Sequence, residues 1–242
     1  MAYNNTRWET RRDDFLKRVN EICVPKEKEE TQSSASEETY MKIFEKVFSY
    51  IDISKYQYWT YFWAIDGNSK ISGKQIDELN ELNDYLHRLN LRSGNILYNS
   101  LLKNLHLLVS DYISVCQMHL VKFGNEGFYT IDKFYAPGYH NPNYDDDLND
   151  FYEYCWLICD LTLEMTRLLN YLLEKIRDNH PDFMLEEGIF VIDTIDNVYT
   201  EYMPSEKTNA PYPGLQEFLN VRSNRNKCYS TATNLDFVKH IH

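Results

Sequence analysis

Phe151, Cys155, Ile158, Met165, Leu169, Leu172 and Ile176 recur at alternating steps of four and three residues, with Thr162 as the polar interruption. That spacing keeps side chains on one face of an α-helix and predicts a long helix over 148–178. The opposite face carries Glu153, Asp160, Glu164, Arg167, Asn170, Glu174 and Arg177, which the same pattern assigns to solvent. Two further helices form a predicted hairpin. Residues 72–91 turn Ile76, Leu79, Leu82, Leu86 and Leu89 inward, and residues 95–122 carry two neighbouring apolar rows, one of them Leu101, Leu105, Leu108, Tyr112 and Val115. An apolar arc this wide places the second helix centrally. Arg92, Ser93 and Gly94 supply the turn, with glycine suited to the positive φ of a helix C-cap.

Upstream, a helix is expected over 6–23, ending before Pro25, then a charged and Ser-rich linker over 26–36 whose composition cannot bury itself. Ser36, followed by Glu37 and Glu38, is expected to start a helix to Tyr50, because an oxygen-bearing cap and an acidic first turn satisfy free N–H groups. Tyr56, Tyr58, Trp59, Tyr61, Phe62 and Trp63 crowd the next segment as core or interface anchors. Residues 123–147 read as one long loop, punctuated by Gly124, Gly127, Pro137, Gly138 and Pro142. Loops of this length usually pack on themselves or carry function. The segment 188–195 fits either a short strand or a helix start. The fold class expected is therefore all-α: a multi-helix bundle in one domain over 1–242, with a long aromatic-rich loop and an irregular, less ordered tail over 204–242. Within that tail, short helices are expected near 215–221 and 234–241.

Charge narrows the function. With 25 basic and 37 acidic residues the formal net charge is −12, which opposes binding to a phosphate backbone, since that affinity comes from cationic side chains releasing counterions. Direct nucleic-acid binding is disfavoured. No apolar run approaches the ~20 residues that span a bilayer, and Arg7, Glu9, Arg11, Arg12, Asp13 and Asp14 are too polar for a leader peptide. A cytoplasmic location without a membrane partner is expected. Cys23, Cys116, Cys155, Cys159 and Cys228 are odd in number, as suits free thiols in a reducing compartment. Plentiful Tyr, Asn, Lys and Ile fit an AT-rich bacterial or phage genome.

Candidate chemistry fails on spacing. Residues 66–77 have oxygen ligands at the first, third and twelfth positions of a calcium loop, yet Lys70 occupies a ligand slot, Ile71 replaces the glycine of the bend, and Asp77 replaces the closing Glu. Asp77, Glu81 and Asp84 on one helix and Asp150, Asp160 and Glu164 on another would suit a magnesium-dependent nucleotide hydrolase only if they faced inward, and they lie opposite the leucines. Asp84 and His87 have di-iron spacing but no second pair. Arg177 and His180 are separated by two residues, whereas helical ribonucleases of the HEPN type place four to six residues between such a pair. His106 falls within an apolar row and reads as a hydrogen-bonded core residue. Cys155 and Cys159 read as core rather than as metal ligands. No catalytic residue, metal or cofactor is expected.

The leading expectation is a non-catalytic protein-interaction module, of the immunity, antitoxin-like or regulatory sort, whose acidic surface meets a basic protein partner. Its candidate surface is the aromatic loop: Phe128, Tyr129, Phe134, Tyr135, Tyr139 and Tyr144. The alternative is an all-helical nucleotide hydrolase or a HEPN-like ribonuclease relative.

Overall fold

A computed structural model describes residues 33–56, 70–91, 94–124, 127–136, 140–183, 188–193, 199–201 and 211–222. The expected helices over 6–23 and 234–241, most of the linker, most of the 56–65 aromatic run, Cys23, Cys228 and Tyr139 lie outside them.

Four helices build the core: α1 (Ser33–Tyr50), α2 (Gly73–Arg88), α3 (Ile96–His119) and α4 (Tyr144–Asn179). The helix of α1 starts at Ser33, so the linker reading of 26–36 overlaps a helix and Ser36 is not its first residue. Helix α2 starts where its sequence supplies a capping box. The Ser72 hydroxyl accepts from Gln75 N at 3.2 Å, and the Gln75 side chain accepts from Ser72 N at 3.1 Å, so two otherwise orphaned donors are satisfied. Asn95 caps α3 in the same way, accepting from Tyr98 N at 3.1 Å. Between α2 and α3, Gly94 takes φ 105° against the Tyr40 hydroxyl, which would lie 2.5 Å from an added Cβ. Only glycine fits both the dihedral and the contact.

The chain is mostly helical rather than all-α. Strands β1 (Lys70–Ser72), β2 (Leu120–Phe123) and β3 (Phe128–Ile131) form an antiparallel sheet in the order β1-β3-β2. Its register pairs Phe123 with Phe128 and Ile71 with Tyr129. The expected helix over 95–122 ends at His119, and the expected loop begins as a β-hairpin. Positive φ at Gly124 and Gly127 allows the tight reversal that ends the helical path. A bond from Gly73 N to Gly127 O at 2.7 Å ties the hairpin to the start of α2. The undecided 188–195 segment contains a strand, β4 (Val191–Asp193), paired antiparallel with β5 (Tyr199–Glu201). Helix α5 (Leu215–Val221) sits where a short helix was expected.

The 4-3 seam of α4 is buried as read, with Ile158, Met165, Leu169 and Ile176 fully enclosed. Its other face corrects the sequence reading. Asp160, Glu164, Arg167 and Asn170 are buried rather than solvated, so α4 is enclosed on all sides through its middle. Part of this polar face is satisfied within α4 or by Tyr56, and Asp160 and Asn170 meet partners farther along the chain, Arg222 and Phe190. Arg167 Nη1 meets Glu164 Oε1 at 2.5 Å, Thr162 and Thr166 donate back to the carbonyls one turn earlier, and the Tyr56 hydroxyl bonds Thr166 Oγ1 at 2.8 Å. Buried polar groups persist where such partners exist.

Candidate functional site

The hairpin end of the bundle carries five of the six aromatic residues expected to form the surface, Phe128, Tyr129, Phe134, Tyr135 and Tyr144. Helix α3 runs into β2 without a break, β3 returns, and residues 132–143 lead into α4. The return is anchored by Asp132 N donating to His119 O at 2.9 Å. Asn141 then organises the entry to α4. Its amide donates to Tyr135 O at 3.0 Å and to Asp147 Oδ2 at 2.8 Å, while its Oδ1 accepts from Asn143 N at 2.9 Å. Asp145, Asp146 and Asp147 occupy the first turn of α4, where the partial positive charge of the helix N-terminus favours carboxylates.

The apolar and aromatic side chains at this end differ in exposure, with Tyr144 at the border. Tyr135 packs edge-on against the buried Phe151 at 5.0 Å and against Tyr144 at 5.8 Å. Phe134 lies 6.1 Å from Tyr154, whose ring stacks on His119 at 3.7 Å. Phe128 and Tyr129 are half-buried on β3. These rings form a satellite cluster over the bundle end. The more exposed side chains are Met118 at 64%, Val121 at 41%, Phe123 at 42% and Tyr144 at 42%. Exposed Asp132, Asp145 and Asp146 lie on the same segments. Of the six expected surface residues, Tyr144 is exposed, four are half-buried and Tyr139 lies outside the described residues. Met118 and Val121 were missed, because the apolar rows of α3 run into β2 without a change of composition, and Phe123 was read only as the first residue of the loop; the flanking pair Gly124 and Gly127 was the available signal.

The structure does not assemble the other candidates. Asp77, Glu81 and Asp84 are exposed along α2 and Asp150 is exposed on α4, while Asp160 and Glu164 are buried inside. Glu164 faces Arg167, and Asp160 lies 3.6 Å from Arg222, which also bonds Glu153. Among the described residues no group of three or more His, Cys, Asp and Glu side chains is placed to hold a metal ion. Lys70 and Ile71 belong to β1 rather than to a calcium loop. Arg177 Nη1 donates to Gly188 O, and His180 N closes the last turn of α4 on Ile176 O. Burial pushes the thiols of Cys116 and Cys155 up to about 12 and that of Cys159 well above its ordinary value, so none is a thiolate nucleophile near neutral pH. His106 is half-buried, and its ring lies 5.5 Å from that of His87. No described helix is long and apolar enough to cross a membrane.

Comparison with protein-family models, with curated proteins and with solved structures finds no match.

Proposed function

We propose that this chain is a cytoplasmic, non-catalytic interaction module, of the immunity, inhibitor or regulatory kind, that receives a basic protein partner at the hairpin end of its bundle. The observation that carries the reading is the exposure of Met118, Val121, Phe123 and Tyr144 on segments that also carry exposed Asp132, Asp145 and Asp146 together with Lys122 and Lys133, on a chain of net charge −12. Apolar anchors supply affinity, and the flanking carboxylates steer an oppositely charged surface into register. Among the described residues β2 pairs only with β3, so its outer edge has backbone groups to offer a partner strand.

The test is to identify a stoichiometric partner from the native host and repeat the association with Val121→Asp and with Asp145→Lys/Asp146→Lys. A basic partner, lost from both variants while their melting temperatures hold, supports the reading. A partner retained by both, or turnover of nucleotides or RNA by the purified chain, overturns it.

A further inference from the structure

We propose that a cleft between the C-terminal end of α2 and the middle of α3 binds the anionic group of a small phosphorylated molecule. The cleft has a volume of about 700 Å³ and presents His87 and Arg88 from α2 with Lys103 and His106 from α3. The His87 and His106 rings lie 5.5 Å apart. Among the described residues no carboxylate lines it; the remaining lining residues are Leu86, Leu89, Asn90, Leu91 and Leu102. On a chain of net charge −12, two fixed cations and two imidazoles gathered around one cavity are a local concentration of donors of the kind that attracts a multiply charged oxyanion.

Among the described residues the cations here are not neutralised by a neighbouring carboxylate, a state they share with Lys46, Lys122 and Arg177. Lys42, Lys55, Lys74, Lys175, Arg167 and Arg222 each face a carboxylate. Among the described residues Arg88 and Lys103 form no ion pair. Arg88 Nε donates to Asp84 O at 3.0 Å, which fixes the guanidinium beside the cleft. Cations in the last turn of α2 complement the helix dipole, which accounts for His87 and Arg88. It does not account for Lys103 and His106, which are interior to α3. Half-buried Leu89 and Leu91 add an apolar wall, so the ligand class is a phosphate monoester with an apolar body.

The imidazole of His106 makes binding pH-dependent. Burial, then the neighbouring His87, holds His106 below its ordinary value. An anion between the rings favours the charged imidazolium, so affinity rises as pH falls through the His range. The groups lining the cleft are those named above. The nearest carboxylate on α2, Asp84, is exposed and outside the lining.

The experiment uses the full chain and follows the histidine ring protons by NMR at ionic strength matched with chloride. Sulfate, which keeps its charge from about pH 5.5 to 7.5 across the His range, serves for the pH series. Phenyl phosphate and inorganic phosphate are compared at one pH. Expected are saturable shifts of the His87 and His106 resonances, severalfold tighter sulfate binding at the lower pH, and tighter binding of phenyl phosphate than of phosphate. Arg88→Gln and Lys103→Gln, both at exposed positions, should weaken binding severalfold without changing the melting temperature, and His106→Asn should flatten the pH dependence. Equal responses to sulfate and chloride, or undiminished binding in both charge variants, would overturn the proposal. Phenyl phosphate no tighter than phosphate would overturn the assigned ligand class.

Discussion

Asn170 holds Phe190 by both of its backbone groups: the amide Nδ2 donates to Phe190 O at 2.9 Å, and Oδ1 accepts from Phe190 N at 2.8 Å. A side-chain amide has one donor end and one acceptor end, so it can imitate a strand neighbour for a segment that has left the helix. The clamp fixes a ring that contacts Phe48 at 5.8 Å and Tyr56 at 4.9 Å, and β4 starts one residue later. Asn170→Ala strands two buried backbone groups, each costing about 1–3 kcal/mol. The expected loss is about 2–5 kcal/mol of unfolding free energy, read from urea denaturation, and a loss under about 1 kcal/mol would show that the clamp is replaceable.

Asn104 repeats the device on α3, accepting from Tyr212 N at 3.0 Å and donating to Tyr212 O at 2.8 Å. Asp111 adds bonds from the Tyr212 hydroxyl at 2.9 Å and from Leu215 N at 2.8 Å. Asn104→Ala with Asp111→Ala should release residues 211–222 while the four-helix core persists, because these contacts dock a short helix rather than fill the centre. Limited proteolysis is the measurement: early cleavage within 211–222 and a retained far-UV helical signal are expected, and global unfolding would contradict this.

The periodicity of α4 made its apolar seam legible from sequence, and Leu169→Asp tests it. Leu169 is fully enclosed, and burying an unpaired carboxylate costs several kcal/mol against a total stability of roughly 5–15. No cooperative melting transition is expected. A soluble Leu169→Asp protein that melts cooperatively would remove the seam from the core.

The rest of α4 was hidden for a physical reason. A stripe of Asp160, Glu164, Arg167 and Asn170 has the same spacing whether it faces water or an internal ion pair, and only tertiary partners decide. Those partners lie far along the chain: Arg222 beside Asp160, and Phe190 on Asn170. The strands were hidden differently. Leu120 and Val121 continue the composition of α3, so the helical reading ran on past His119. In the candidate surface, the sequence marked Phe134, Tyr135 and Tyr144 but not their ring partners Phe151 and Tyr154, nor His119 stacked on Tyr154. It did not show which of them pack on each other, since ring contacts such as Tyr135 on Phe151 depend on how the 132–143 segment folds back.

Glu164 and Arg167 allow the internal pairing to be measured. Removing one partner leaves the other charge enclosed, at a cost of about 3–5 kcal/mol, whereas replacing both by apolar side chains of similar volume costs much less than the sum. Glu164→Leu and Arg167→Met should each be strongly destabilising, and the double variant should recover a large part of the loss. Strictly additive effects in the double-mutant cycle would mean that the two side chains act independently.

His119 gives the acid side of the stability curve a definite sign. Its ring is stacked on Tyr154 at 3.7 Å, and burial holds its native value below the ordinary imidazole value. The unfolded chain therefore takes up the proton first as pH falls below about 6.5. Above that value the neutral ring contributes its full packing, and the contribution is lost as pH drops through the lowered native value. His119→Gln removes the titration while keeping a polar side chain at the end of α3. The difference in melting temperature between the natural protein and the variant should accordingly be largest near pH 7.5 and shrink toward about pH 5, with carboxylate titrations common to both. A difference that grows on acidification would mean that the charged imidazolium is the form the fold prefers, and would place an acceptor for it at the hairpin end.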